Sequence, residues 1–229
     1  MARAEFIKAA RKDIYVNGKQ VQYVSQKGKR QGQTLTKVDK TIPADEDDKI
    51  LIAKGESYYK WAFQYGPTYY SKTRPRPSQL TQSDFLQRVY GLKEEIEDLS
   101  KTVFESSESL EDTLNEFKER IEEIRDECQE KLDNMPEQLQ YAPSGELLQE
   151  RIDALDEAHS ELDNIYFDYE APDENDIRKE LAEDAGVDTE EDGWEQSVSD
   201  EEVEDKISEQ LQEYLDEKIE EIQGVDINC

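Results

Sequence analysis

Cysteine, histidine, long apolar runs and phosphate-cradling glycine loops are all scarce or missing in this chain, and each shortage removes a class of function. There are 2 cysteines and 1 histidine in 229 residues. Cys128 sits inside an apolar repeat and Cys229 is the last residue, so no spacing suits a disulfide framework or a thiolate zinc site, and a reduced cytoplasm is the expected setting. His159 has no second histidine to converge with and falls on an apolar stripe, so a packed or interface histidine is expected in preference to a catalytic or metal-binding one. No Gly-rich phosphate loop, Ser-His-Asp set or Cys-X-X-Cys occurs, and the abundant carboxylates lie on solvated faces. The expectation is a protein that is not an enzyme and carries no cofactor and no metal. No apolar run approaches the roughly eighteen residues of a membrane span, and the N-terminus lacks a signal-peptide core, so no membrane association is expected.

What the chain has in excess is acid. Hydrophobic residues make up 34% and charged residues 38%, with a mean hydropathy of -1.00, which leaves material only for a thin core. The formal net charge is -30, unevenly spread: residues 1–80 hold 16 Lys+Arg against 8 Asp+Glu, a net of +8, and residues 81–229 hold 12 against 50, a net of -38. A basic head is joined to a strongly acidic body. A field of that sign repels nucleic acid and attracts basic proteins over about a Debye length.

The patterning divides the chain into three regions: a basic β-rich head (1–80), an acidic coiled-coil hairpin (81–170) and an acidic C-terminal helical segment (171–229). The head begins with a helical-looking piece, Arg3 to Lys12. Asn17-Gly18, flanked by Ile14-Tyr15-Val16 and Val21-Gln22-Tyr23-Val24, predicts a hairpin with a two-residue turn. Lys27 to Gly32 reads as a basic loop, Asp45 to Asp48 as an acidic one, and Lys49 to Ala53 as a strand. Tyr59, Trp61, Phe63 and Tyr65 alternate as on one strand face, and Gly66-Pro67 turns the chain into a partner strand. Pro75 and Pro77 predict a stiff extended connector, with Thr81 or Ser83 as the N-cap of a long helix.

From Thr81 to Leu132 apolar residues recur by fours and threes: Phe85, Val89, Leu92, Ile96, Leu99 and Val103, then Leu110, Leu114, Phe117, Ile121, Ile124 and Cys128. Roughly fifty helical residues would make a rod of about 75 Å. Ser106 occupies the seam position between the two sets, where the phase slips, so an irregularity is expected at Ser106 and Ser107. Breakers at Met135-Pro136 and Ala142-Pro143-Ser144-Gly145 precede a second helix from about Glu146, with Leu148, Ile152, Leu155, His159, Leu162, Tyr166 and Tyr169 on its stripe, returning antiparallel along the first. The seam closes within one chain or, as a homodimer, between two. Asp173 to Ala185 predicts a short helix. Ser199 to Glu202 is a capping box opening a helix with Val203, Ile207, Leu211, Leu215, Ile219 and Ile222, stopped by Gly224. The fold class is therefore α+β: a small antiparallel β head, a long antiparallel helical hairpin and a C-terminal helix.

The richest constellation is the aromatic and basic run Tyr58 to Arg76. Aromatic faces on a sheet stack bases, and Lys72, Arg74 and Arg76 at alternating positions suit successive phosphates; the expected nucleic-acid-binding set is Tyr59, Trp61, Lys72, Arg74 and Arg76. The bland alternative makes these aromatics the core of a small sheet. Asp188-Thr189-Glu190-Glu191-Asp192-Gly193 has the opening pattern of a calcium loop, but the twelfth position is Ser199 in place of the bidentate Glu, so an ordinary acidic turn is expected. Carboxylates spaced along a rod can also imitate a phosphate backbone.

Lys54-Gly55-Glu56-Ser57-Tyr58-Tyr59-Lys60-Trp61, with Ser71-Lys72-Thr73 and Pro77-Ser78-Gln79-Leu80-Thr81, and later Asn134-Met135-Pro136-Glu137 with Gly145-Glu146-Leu147-Leu148-Gln149-Glu150-Arg151-Ile152, resembles small acidic proteins of tailed bacteriophages. The resemblance covers about half the chain and implies an origin and a host-cytoplasm location, with no activity attached. The expected function is non-enzymatic binding of nucleic acid, or of nucleic-acid machinery, through the head. The alternatives are an acidic nucleic-acid mimic that inhibits a basic host defence protein, and a virion or scaffold component.

Overall fold

The computed structural model describes residues 1–26, 31–64, 66–190 and 193–227. Most of the basic loop Lys27 to Gly32, together with Tyr65, Glu191, Asp192, Asn228 and Cys229, lies outside the described residues. The chain is α+β and forms two compact units, Met1–Gly91 and Leu92–Cys229. The units carry opposite net charge: 17 Lys+Arg against 9 Asp+Glu in the first, 11 against 49 in the second.

Among the described residues the first unit has seven strands: β1 (Glu5–Ile7), β2 (Ile14–Tyr15), β3 (Lys19–Val24), β4 (Thr34–Asp39), β5 (Ile50–Ile52), β6 (Tyr58–Ala62) and β7 (Thr68–Ser71). They form three antiparallel sheets, ordered β1-β6-β7, β2-β5 and β3-β4, the small antiparallel β head expected. The aromatic strand pairs with its partner across Gly66-Pro67, with Trp61 opposite Tyr69 and Lys60 opposite Tyr70, but β6 ends at Ala62, so Phe63 falls beyond the strand and Tyr65 lies outside the described residues. The segment read as helical, Arg3 to Lys12, instead contributes β1. Its alanines favour a helix, but Phe6 lies opposite Tyr59 with rings 5.0 Å apart, and Glu5 pairs with Lys60 at 3.1 Å, so cross-strand contacts override local preference.

The hairpin expected at Asn17-Gly18 is also corrected. The chain does turn there, with Gly18 at φ 71°, but β2 pairs with β5 and β3 with β4. The turn's N–H groups are taken by the Asp48 carboxylate, which redirects the chain. A small cluster of Ala10, Ile14 and Ile52, packed by Leu51, Tyr58 and Tyr70, forms the buried centre beside the β2-β5 pair. Pro77 opens a 3-10 turn, Pro77–Leu80, and not an extended connector, and Ser83 then caps α1 (Asp84–Glu97) by accepting from the Leu86 N–H at 3.4 Å.

The continuous helix expected over Thr81 to Leu132 is broken. α1 ends at Glu97, a 3-10 turn covers Leu99–Lys101, and α2 (Ser107–Asp133) starts afresh. Ser106, the phase-slip residue, is the N-cap: its Oγ accepts from the Ser109 N–H at 3.2 Å, while the Ser109 hydroxyl donates back to the Ser106 carbonyl at 2.7 Å. Val103, placed on the seam by spacing, falls in the break and is 83% exposed; Phe104 is buried instead.

α2 packs on α4 (Pro143–Asp163), joined through the short α3 (Glu137–Gln140). Lys118 pairs with Asp163 and Arg125 with Asp156, so seven residues forward on α2 match seven back on α4, and the two helices run antiparallel. Leu110, Leu114, Phe117, Ile121, Ile124 and Cys128 are buried on α2; Ile152, Leu155, Ala158 and Leu162 are buried on α4. Ala158, not His159, holds the core position, and α4 ends at Asp163, so Tyr166 and Tyr169 come after the helix instead of belonging to its stripe.

α6 (Asp200–Gln223) carries the expected capping box and buries Val203, Leu215, Ile219 and Ile222. It packs on α2 and on the Leu99–Lys101 turn, and Gln223 Nε2 donates to the Ile96 and Glu97 carbonyls, both at 3.0 Å, satisfying the end of α1. α5 (Glu174–Asp184) folds on the start of α6 around Ile177, Ala182, Val198 and Val203.

Candidate nucleic-acid interface

The antiparallel pairing of β1 with β6 sets Phe6 beside Tyr59 on one sheet face, and Trp61 on that face stacks on Tyr69 at 5.6 Å with 16° between the rings. The two ends of this aromatic row differ in access. Trp61 is 7% exposed and its indole N–H donates to the Gln79 carbonyl at 3.1 Å, so its ring is a packing element of the sheet. Phe6 is 52% exposed and Tyr59 is half-buried.

The chain's N-terminal residues are anchored next to this open end, where the Ala2 N–H donates to the Leu80 carbonyl at 2.6 Å. Arg3, Phe6, Tyr59, Arg74, Pro75 and Leu80 line a groove of about 470 Å³ with no carboxylate in its lining. The arrangement puts two arginines in one groove with two aromatic residues, which suits a stacked base and its flanking phosphates. Buried Pro75 positions Arg74 in it.

Of the five residues expected at the interface, Tyr59 and Arg74 meet in this groove. Trp61 lies beneath the surface, and the Lys72 ammonium pairs with Glu56 at 2.9 Å. The hydrogen bond from Lys72, followed by one from the Ala53 N–H, holds the Glu56 carboxyl below its ordinary range. Arg76 precedes the 3-10 turn, and its N–H donates to Gln79 Oε1 at 3.1 Å. Arg3 and Phe6 are additions that sequence reasoning missed; their signal, a basic residue and a ring close to the N-terminus, was absorbed into the helical reading of that segment.

Elsewhere, no group of three or more His, Cys, Asp and Glu among the described residues is arranged to hold a metal ion, and no helix there is long and apolar enough to cross a membrane. In the calcium-like segment Glu191 and Asp192 lie outside the described residues; on either side of them the Asp188 carboxylate accepts from the Glu190 N–H at 3.0 Å and Gly193 takes φ 90°. No protein-family model matches the chain, and neither the curated proteins nor the solved structures contain a match to it.

Proposed function

We propose that this is a non-enzymatic binding protein of bacteriophage type, acting in the host cytoplasm, whose first unit holds single-stranded nucleic acid in the Arg3-Phe6-Tyr59-Arg74 groove. The observation that carries this reading is the meeting of two arginines with an accessible ring pair in a groove lined by no carboxylate. Rings supply stacking that tolerates any base, and the arginines supply salt-dependent attraction to phosphate. The unit's net positive charge supports the same reading. Fluorescence anisotropy of a labelled single-stranded 20-mer at low salt tests it: binding should fall steeply with added salt and disappear in the Arg3→Glu/Arg74→Glu variant. No binding at low salt overturns the reading.

A second reading, in which the acidic unit engages a basic protein as a mimic of nucleic acid, is favoured by a separate observation. Ten Lys and Arg residues from Leu92 onward pair with carboxylates of the same unit, including Lys118 with Asp163, Arg120 with Glu95 and Arg178 with Asp200. The 49 carboxylates of the unit greatly outnumber these pairs, leaving a surface of one sign. Pull-down from host lysate should then recover a basic protein that high salt releases; recovery of none counts against the mimic.

A further inference from the structure

The β3-β4 ribbon stands out from the rest of the first unit because one of its faces is bare. The register pairs Gln20 with Val38, Gln22 with Thr36 and Val24 with Thr34, so these six residues share a face, and all six are exposed. A two-stranded ribbon without cover is marginal in water, which makes an uncovered face of this length unusual. Val21 and Leu35 lie on the opposite face and are partly covered; they share it with Tyr23 and with Lys37, whose ammonium sits 5.5 Å from the Tyr23 ring centroid.

The composition of the bare face points to its occupant. It carries no charge and no ring, and its two valines sit at opposite ends, separated by amides and hydroxyls. A protein interface needs a contiguous apolar centre, which this face lacks. A single strand needs rings to stack on, and none is available on this side. Glutamine amides and threonine hydroxyls are the groups that read base edges, and valine and threonine methyls suit the thymine methyl. From Ile14 to Val38 the sequence holds 5 Lys+Arg and no Asp or Glu, with Lys19 and Lys37 on the opposite face and Lys27, Lys29 and Arg30 in the stretch between the strands, so the ribbon is cationic as a whole although this face is neutral. Asp39, at the ribbon's base, is occupied locally, accepting from the Thr41 N–H and hydroxyl at 3.0 and 2.8 Å.

Size completes the fit. Six residues per strand extend about 20 Å, and a two-stranded ribbon is what the roughly 12 Å B-form major groove admits. The A-form major groove is too narrow for it. We infer that the β3-β4 ribbon lays the Gln20, Gln22, Thr34 and Thr36 face into the major groove of duplex DNA. This rests on the nucleic-acid role proposed for the first unit, but it uses a different surface and a different form of nucleic acid.

The test uses the full chain and three probes: a 20-bp mixed-sequence DNA duplex, the same sequence as an RNA duplex, and oligo(dT). The wild-type protein should bind the DNA duplex more tightly than the RNA duplex, and should shield guanine N7 from dimethyl sulfate. Gln22→Glu should weaken duplex binding roughly tenfold, the scale of one lost base-edge contact, and leave oligo(dT) binding unchanged. Gln22→Lys should strengthen it, which keeps the test informative if the Glu variant folds poorly. Arg3→Glu/Arg74→Glu should do the reverse, abolishing oligo(dT) binding while the duplex is retained, so the two surfaces fail separately. Absence of duplex binding, equal binding of the RNA duplex, indifference to Gln22, or self-association through the ribbon seen as a doubled mass in light scattering would each overturn the inference.

Discussion

The Gly18 N–H donates to Asp48 Oδ2 at 2.8 Å, across thirty residues of sequence, and that contact organises the corner from which β3 departs. The same carboxylate accepts from the Asn17 N–H at 3.0 Å, the Asn17 side-chain amide at 3.2 Å and the Ala44 N–H at 2.9 Å. Burial opposes ionisation of Asp48, but the donors from Ala44, Asn17 and Gly18 outweigh it and hold the carboxyl below its ordinary value of 3.8. Such a group stabilises fully above its unfolded value, and the contribution is lost as pH falls through the lower folded value. Asp48→Ala should therefore lower the melting temperature of the first unit at pH 7. The difference from wild type should shrink only below about pH 4, where the unfolded carboxyl also protonates, in thermal melts followed by near-ultraviolet circular dichroism.

Gly145 meets Gln140 so closely that a Cβ would lie 2.1 Å from the Gln140 carbonyl oxygen and 2.6 Å from its Cα. Both obstacles are backbone, which cannot step aside as a side chain does. Gly145→Ala should separate α3 from α4 and cost about 1–3 kcal/mol in urea unfolding, the range for overpacked cores. Gly91→Ala is the matching control, since nothing lies within 4 Å of its Cβ and a helical glycine is there replaced by a better helix former.

Leu155 is fully buried between α4 and α2, and Val103, which occupies the same kind of seam position by spacing, is 83% exposed. Leu155→Ala should cost about 2–5 kcal/mol, and Val103→Ala should fall within about 0.5 kcal/mol of wild type in the same measurement. The pair shows how much of the fold the periodicity carried. Six seam residues of α2 were legible because a repeat sustained over 27 residues allows one apolar face only. The break before Ser106 was legible as a phase slip but not as a new helix, since capping by a serine and continuing through it look alike in sequence.

The head was less legible for a physical reason. Its strands are two to six residues long, too short for a period to declare itself, and their partners are chosen by distant groups such as Asp48. Alternation correctly placed Tyr59 and Trp61 on one face, but alternation does not report which end of a face is covered. Arg3 joins the candidate groove only through the β1-β6 pairing, which no local pattern announced.

The second unit holds 49 Asp+Glu against 11 Lys+Arg, and its exposed ion pairs are individually weak. Self-repulsion among the excess carboxylates dominates at low ionic strength and is screened beyond a few ångströms at high. Raising sodium chloride from about 20 to about 500 mM should therefore increase the melting temperature of the helical signal, although it also weakens pairs such as Lys118 with Asp163. A decrease would mean that the pairs outweigh the repulsion.

Tyr59 and Trp61 lie two residues apart on one strand face, and their different burial, half-buried against buried, separates binding from packing. Tyr59→Ala removes a ring from the groove and should weaken single-strand binding by about 1–3 kcal/mol, the worth of one stacked base, with a smaller drop in melting temperature from the lost cross-strand contact to Phe6. Trp61→Phe loses the hydrogen bond to the Gln79 carbonyl and leaves space where the indole packed, so it should lower the melting temperature and leave the affinity intact. Anisotropy titrations and thermal melts on the same two proteins check the exchange. If Trp61→Phe loses affinity while its fold is intact, the bases stack on the buried ring after all, and the groove beside Arg3 and Arg74 is not where the strand lies.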